Sequence, residues 1–291
     1  MVKENQNYYN MGKNLSVSKI CRLKNQTIEN SGQNIGQNKL VRQIQMGIAR
    51  DEFTLFYQPE YNLETKEIIG VEALVRWNSP EKGLVPPDVF IPLAEKSDLI
   101  YELERMIICK ALEQKQIWEL EGLEHIEISI NLSSKSIESE DDFRIIEEII
   151  SSYKVDYSRI IFEITESVVI TNTNLVVERL NRLKTHGIRF ALDDFGTGYS
   201  SLAHLLKLPI DIIKIDKDFI NSIPDCNVET TITKNILTMA HDLNFKVVAE
   251  GIETHAQIEY LRQNSCERGQ GFLLCVPLPS EQVVEVIKGN I

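Results

Sequence analysis

Apolar residues recur along this chain in two alternating periods. Short runs rich in Ile, Val and Phe have the length and β-branched content of strands: Phe53–Gln58, Ile68–Trp77, Ile126–Asn131, Ile160–Ile164, Arg189–Asp193, Ile212–Asp216 and Lys246–Glu250, with a weaker eighth around Gln270–Leu274. Between them, apolar positions return every three or four residues. These helical stripes include Leu103/Ile107/Ala111, Phe143/Ile146/Ile149/Ile150, Leu175/Val176/Leu180/Leu183 ended by Gly187, and Ile232/Ile236/Met239/Leu243. Thr254 and Gln257 have capping-box spacing ahead of Ile258 and Leu261, and an amphipathic helix begins near Gln37 with Leu40, Val41, Ile44 and Ile48 on one stripe. Strands alternating with helices predict parallel βαβ units. Eight such units fit a closed TIM-type (β/α)8 barrel better than an open sheet, although periodicity alone does not separate the two.

Residues 1–38 break the pattern. They hold eight Asn and four Gln, and five cations against two anions give them a charge of +3. Such a segment cannot bury enough apolar surface to offset chain entropy, so it reads as a flexible polar leader or linker ahead of one domain at 39–291. With 43 acidic and 31 basic side chains the whole chain of 291 residues carries −12, which disfavours duplex nucleic acid as a partner. No apolar run approaches the ~18 residues of a membrane span, and the start lacks the apolar core of a signal peptide. A cytoplasmic location is expected. None of the five cysteines forms a CxxC pair, and the five histidines show no ligand spacing, so zinc is not indicated.

The polar residues that interrupt the strands carry the chemistry. Glu72 sits inside an apolar run, Asn131 ends one, Glu163 follows Ile160-Ile161-Phe162, Asp193-Asp194 follow Phe190-Ala191-Leu192, Lys214 splits Ile212-Ile213 from Ile215, and Glu250 ends Val247-Val248-Ala249. A lone acid in a strand is most often a solvated one. Six strands placing polar groups near their C-terminal ends is another matter, because barrel enzymes gather their sites there. Glu72, Asn131, Glu163, Asp193, Asp194 and Glu250 are hard oxygen donors that suit Mg²⁺ or Mn²⁺. The adjacent Asp193 and Asp194 cannot both ionise at close range without a cation. Two metals about 3.5–4 Å apart are a standard solution for phosphate ester hydrolysis. The glycine-bearing loop Asp193–Leu202 has neither a Walker ending nor a dinucleotide fingerprint and reads as a mobile active-site loop. Arg76 shares the face of Glu72 and could hold a phosphate or form a salt bridge; Gln58-Pro59 leaves an amide at the rim.

These same residues stand in longer motifs. Glu72-Ala73-Leu74 within Glu-Ala-Leu-Val-Arg-Trp resembles the signature of the EAL-domain family of bacterial cyclic-di-GMP phosphodiesterases. The family's order continues with Tyr57-Gln58-Pro59, Phe90–Glu95, Asn131-Leu132-Ser133, Glu163-Ile164-Thr165-Glu166, Asp193–Leu202, Lys214-Ile215-Asp216, Ala249–Glu253 and Gln270-Gly271-Phe272, from about residue 39 to the end. The departures, Glu60, Ser265, Glu267 and Val276, fall at no ligand position and bear on substrate affinity.

The resemblance implies a barrel whose first strand is antiparallel to the rest, and cleavage of one phosphodiester bond of cyclic-di-GMP to give linear pGpG. It assigns Glu72, Asn131, Glu163 and Asp193 to a first metal, and Asp193, Asp194 and Glu250 to a second. Lys214 would contact and help activate the nucleophilic water, with Gln270 nearby, while Gln58 and Arg76 hold the substrate. Glu166 would anchor the Asp194–Leu202 loop, through Thr197 and Ser200, and that loop would support a homodimer. Glu253 would be a carboxylate at the rim. Mg²⁺ or Mn²⁺ would serve, two ions per site, with Ca²⁺ non-productive. A non-catalytic cyclic-di-GMP receptor and an enolase-like Mg²⁺ barrel are the competing readings.

Overall fold

Turn chemistry at Asn62 sets the first two strands. Its Oδ1 accepts from the N–H groups of Glu64 and Thr65, both at 2.9 Å, and Lys66 takes a left-handed φ of 64°. The chain therefore folds β1 (Phe53–Asn62) back along β2 (Ile68–Ser79) as an antiparallel pair, Phe53 opposite Trp77 and Gln58 opposite Glu72. A short β3 (Gly83–Val85), absent from the sequence reading, extends β2 outside the ring.

The rest of the sheet is parallel: β4 (Glu127–Asn131), β5 (Ile160–Thr165), β6 (Arg189–Phe195), β7 (Ile212–Ile215), β8 (Lys246–Ala249) and β9 (Arg268–Gly269). β9 pairs in parallel with β8 and antiparallel with β1, and so closes an eight-stranded mixed barrel. The computed structural model describes residues 35–166, 173–196, 205–223 and 227–289.

Helices α1 (Ile35–Ala49), α2 (Pro87–Lys96), α3 (Ile100–Leu120), α4 (Ser134–Glu138), α5 (Glu140–Ser152), α6 (Thr173–Lys184), α7 (Lys217–Asn221), α8 (Asn227–Asp242), α9 (His255–Gln263) and α10 (Ser280–Ile287) accompany the strands. Each stripe singled out above lies on one of them. α9 carries the expected capping box, Thr254 with Gln257, and Gly187 ends its helix region at a φ of 95°. α1 begins at Ile35, slightly before the expected start, and buries Ile44 fully.

One strand is displaced. The run Gln270–Leu274 is not the eighth strand; the ladder occupies Arg268–Gly269 and the chain turns at once. Gln270 donates its N–H to Ala249 O and accepts from Ile252 N–H, and a Cβ at Gly271 would fall on the Ile252 backbone. The apolar Phe272-Leu273-Leu274 imitates a strand, but the segment crosses the end of β8 too closely to pair with it.

Alternation along the strands divides the core in two. One set, including Ile130, Phe162, Phe190, Leu192, Ile213 and Val247, faces the helices and is almost wholly buried. The other set fills the barrel. There Ile161, Ala191, Ile212 and Val248 form a separate apolar layer, each large aliphatic contributing about 1.5–3 kcal/mol by its burial. Charge flanks this layer on both sides: Arg189–Ala191–Asp193 runs through it on β6, and Lys246–Val248–Glu250 follows the same sequence from β8.

Candidate active site

The C-terminal ends of the parallel strands converge on Lys214. Its Nζ lies 2.7 Å from Glu250, 2.9 Å from Glu163, 3.2 Å from Glu72 and 3.5 Å from Asp193. The side chain is 1% exposed. Burial opposes its charge, yet Asp193, Glu163, Glu250 and Glu72 together hold the ammonium well above the usual lysine range. Among these carboxylates Lys214 is held as an ammonium that donates hydrogen bonds.

The carboxylates respond unequally. Burial raises Glu72, but Lys214, Gln270 and Asn131 outweigh it and hold Glu72 below the ordinary range. Asn131 Nδ2 donates to Glu72 at 3.2 Å, and Gln270 Nε2 donates to Glu72 at 2.7 Å and to Glu250 at 3.0 Å. Glu163 goes the other way, pushed well up by burial and by Glu72 despite Lys214. Glu250 is pushed to about 8 by burial, then by Asp193 and Glu72. Asp194 rises to about 6 through burial and its neighbours Asp193 and Asp216. Five acids and one lysine leave a surplus of negative charge.

A β-bulge places two of the acids together. β6 and β7 pair as Leu192 with Ile213 and then Phe195 with Ile215, so Asp193 and Asp194 both stand opposite Lys214. Asp194 takes a left-handed φ of 54°, a conformation Asp tolerates better than most side chains. Regular alternation would have sent the two carboxylates to opposite faces. The bulge instead leaves Asp193, Asp194 and Glu250 with ligand oxygens within 4.8 Å of one another. The following Gly196, at φ 100°, has no room for a Cβ, which would meet the Phe219 ring at 2.8 Å.

This cluster fits divalent cations. Oε1 of Glu163 and Oε1 of Gln270 are buried without a hydrogen bond among the described residues, while Oε2 of Glu163 and Oδ1 of Asp193 face only the Lys214 ammonium. Buried polar oxygens need a partner, and an all-oxygen set of this kind suits a hard cation.

Gln58 is buried beside Glu72, its Nε2 donating to Cys275 O at 3.1 Å. Arg76 is half-buried, donates to Val75 O at 3.0 Å and lies 5.8 Å over the Phe56 ring. No carboxylate pairs with it among the described residues, so the salt-bridge reading of Arg76 is not realised. Glu166 is buried just past the end of β5, beyond Glu163. Thr197, Ser200 and most of the Asp193–Leu202 loop lie outside the described residues. Glu253 is exposed; its N–H donates to Gln257 Oε1 as part of the α9 cap, away from the cluster.

Two further residues support the site. Glu104 on α3, pushed up to about 7 by burial, accepts from Ser133 N–H and so fixes the turn after Asn131. Its sequence signal was an acid embedded between Leu103 and Ile107 on an apolar stripe. Asp216 caps α7 through Asp218 N–H at 2.8 Å and hydrogen-bonds Asp194.

Comparison with known proteins agrees with this architecture. Over 255 residues the chain is 38% identical to an uncharacterized protein of Mycobacterium tuberculosis, covering 87% of this chain and 41% of that one. It is 36% identical over 248 residues to the Pseudomonas aeruginosa bifunctional diguanylate cyclase/cyclic di-GMP phosphodiesterase MucR, covering 85% of this chain and 36% of MucR. It is 35% identical over 237 residues to the Escherichia coli cyclic di-GMP phosphodiesterase PdeR, covering 81% and 36%. The chain thus spans roughly two-fifths of the length of such relatives. A solved structure of the MucR phosphodiesterase in complex with c-di-GMP superposes with a TM-score of 0.80 at 36% identity, over 84% of this chain and 99% of that one. The EAL domain family itself matches residues 41–277, and the chain belongs to that family.

Proposed function

We propose that this chain hydrolyses cyclic di-GMP to linear pGpG with two Mg²⁺ or Mn²⁺ ions held by the carboxylate cluster. The observation that carries the reading is the bulge at Asp193-Asp194, which spends backbone regularity to gather two like charges beside Glu250. A structural cluster gains nothing from that arrangement, whereas a pair of cations requires it. The relatives named as cyclic di-GMP phosphodiesterases supply the substrate class.

Glu72, Asn131, Glu163 and Asp193 are assigned to one ion, and Asp193, Asp194 and Glu250 to the other. Bound there, the ions neutralise phosphate charge and lower the pKa of the attacking water. The Lys214 ammonium orients the nucleophilic oxygen by donation, and Gln270 restrains Glu72 and Glu250 from the opposite wall. The water's proton passes to a carboxylate of the cluster; Glu250, 2.7 Å from Lys214 and pushed up to about 8, is placed to take it. Gln58 and Arg76 flank Glu72 on β1 and β2, where the unpaired guanidinium can hold a phosphate oxygen.

Residues 39–291 form the phosphodiesterase domain in this reading and 1–38 a polar leader or linker; Glu166 and Thr197 anchor the loop after Asp194, which supports a homodimer in the cytoplasm, and Glu253 is a carboxylate at the rim. Among the described residues no helix is long and apolar enough to cross a membrane. Incubation with cyclic di-GMP and Mg²⁺ or Mn²⁺, followed by chromatography of the nucleotides, tests the proposal. Linear pGpG is expected, lost on exhaustive chelation and not restored by Ca²⁺, which holds looser geometry. Bound but intact dinucleotide would make the chain a receptor.

A further inference from the structure

At the opposite end of the barrel the strand N-termini surround a cavity of about 810 Å³. Its charged lining is Lys66, Arg159, Lys246 and Arg268 against Glu67 and Glu127, a surplus of two positive charges before His125 is counted, in a chain whose net charge is −12. Part of this charge is accounted for by folding. Glu127 is buried and lies 2.6 Å from Arg268, 2.8 Å from Arg189 and 3.4 Å from Arg159, and Glu60 lies 3.7 Å from Arg268. Conserving a closed barrel base requires no more than this cluster.

Lys66 and Lys246 go beyond it. Both are exposed at the cavity and neither forms an ion pair among the described residues. Glu127, Glu60 and Asp156 match the three arginines, so Lys66 and Lys246 are the cations left over, and no ion pair among the described residues calls for them. The same cavity has apolar lining from Tyr61, Ile68, Val286 and Ile287. The carbonyls of Val284 and Val286, which would oppose an anion at the end of α10, already accept the N–H groups of Lys288 and Gly289. Surplus cations and apolar lining in one cavity, of a volume within the ~300–1,000 Å³ of small-molecule sites, suit a ligand with an anionic head and an apolar body.

We infer that the base of the barrel is a second binding site, for a small organic phosphate of mononucleotide size. The phosphate is held by Arg268, Lys246 and Lys66, and the flat apolar body lies against Tyr61, Ile68 and Val286. The site is separated from the carboxylate cluster by the layer of Ile161, Ala191, Ile212 and Val248. Residues 1–34, with their surplus of positive charge, are the wrong sign to fill it.

The test is calorimetric titration of the full chain with adenosine 5′-monophosphate in the presence of a chelator. One saturable site is expected. Lys66→Glu combined with Lys246→Glu should weaken it at least about tenfold, the scale of a lost charge-assisted contact, while leaving cyclic di-GMP turnover unchanged. Val286→Asp should weaken adenosine monophosphate more than inorganic phosphate, and Asp193→Asn should leave binding intact. Absence of saturable binding, equal affinity in the double-lysine variant, or loss of binding in Asp193→Asn would overturn the inference. Circular dichroism of the lysine variant, expected to match the parent, guards against a folding artefact.

Discussion

One end of this barrel rings a single ammonium with four carboxylates; at the other, three guanidinium groups converge on Glu127, with Glu60 beside Arg268 and Asp156 beside Arg159. Lys214 and Glu127 are both buried, and one apolar layer lies between the two clusters. What distinguishes them is the charge left over. Around Lys214 the surplus is negative, since five acids meet one lysine; around Glu127 the paired groups balance and the cations left over are Lys66 and Lys246, which reach solvent. Desolvated charge of one sign is costly until a counter-charge arrives, and in the readings proposed above each end takes a ligand of opposite sign.

Breaking the centre of the acidic end should have the largest effect. Lys214→Ala removes the only cation among the carboxylates and should lower kcat by roughly 10²–10⁴-fold, with KM little changed. A raised KM at unaltered kcat would make Lys214 a substrate clamp instead. The corresponding change at the base, Glu127→Gln, strips three arginines of their shared partner. It should cost about 3–5 kcal/mol of stability, read by urea unfolding, while turnover at low temperature persists. Full stability in that variant would mean the arginines are neutralised elsewhere.

Glu163 and Glu166 sharpen the comparison within the acidic end. Glu163→Gln removes a charged ligand, so its loss should persist across a wide Mg²⁺ titration. Glu166→Gln lies past the strand and should be partly rescued by high Mg²⁺, with a weaker dimer by sedimentation. Identical titrations would show that Glu166 does not govern the second ion.

A smaller effect concerns pH. In cation-free protein Glu250 titrates near 8, against an ordinary value of 4.5, so between those limits the folded state binds the extra proton. Folding stability should fall as pH rises through that window, and Asp194, at about 6 rather than 3.8, adds the same sign at its lower end. Glu72, held below the ordinary range, contributes only at more acidic pH. Urea midpoints of chelated protein taken at roughly pH 5 and roughly pH 8 measure the slope, and saturating Mg²⁺ should reduce it, leaving the part that Glu104, at about 7 on α3, contributes with the same sign. The arginines at the base do not titrate and contribute nothing. The least effect is expected from deleting residues 1–34, which should leave both thermal midpoint and turnover where they are.

Much of this was legible in advance because period and chemistry agree. The strands carrying Glu72, Asn131, Glu163 and Lys214 are apolar runs broken by one polar residue, and such interruptions are costly unless used. The bulge at Asp193-Asp194 was not legible, since nothing in the two letters says whether alternation holds. β9 was misplaced because Phe272–Leu274 is the more apolar stretch, while the true ladder is Arg268-Gly269, a charged residue and a glycine. The basic end went unread for a similar reason: Glu127, Arg189, Lys246 and Arg268 each look like the polar start of a strand, and only closure of the ring brings them together.

β9 also bears on how the fold breathes. It pairs through two residues with each neighbour, the shortest ladder in the ring, yet Arg268 reaches the base cluster and Gln270, two residues on, reaches Glu72 and Glu250. Local opening proceeds where few bonds must break at once. Fraying of this one seam, well short of global unfolding, would release an arginine from one end and an amide from the other in the same event. Amide exchange at Gly269 and Gln270 therefore reports a motion in which the two ends, separate in every static contact, come apart together.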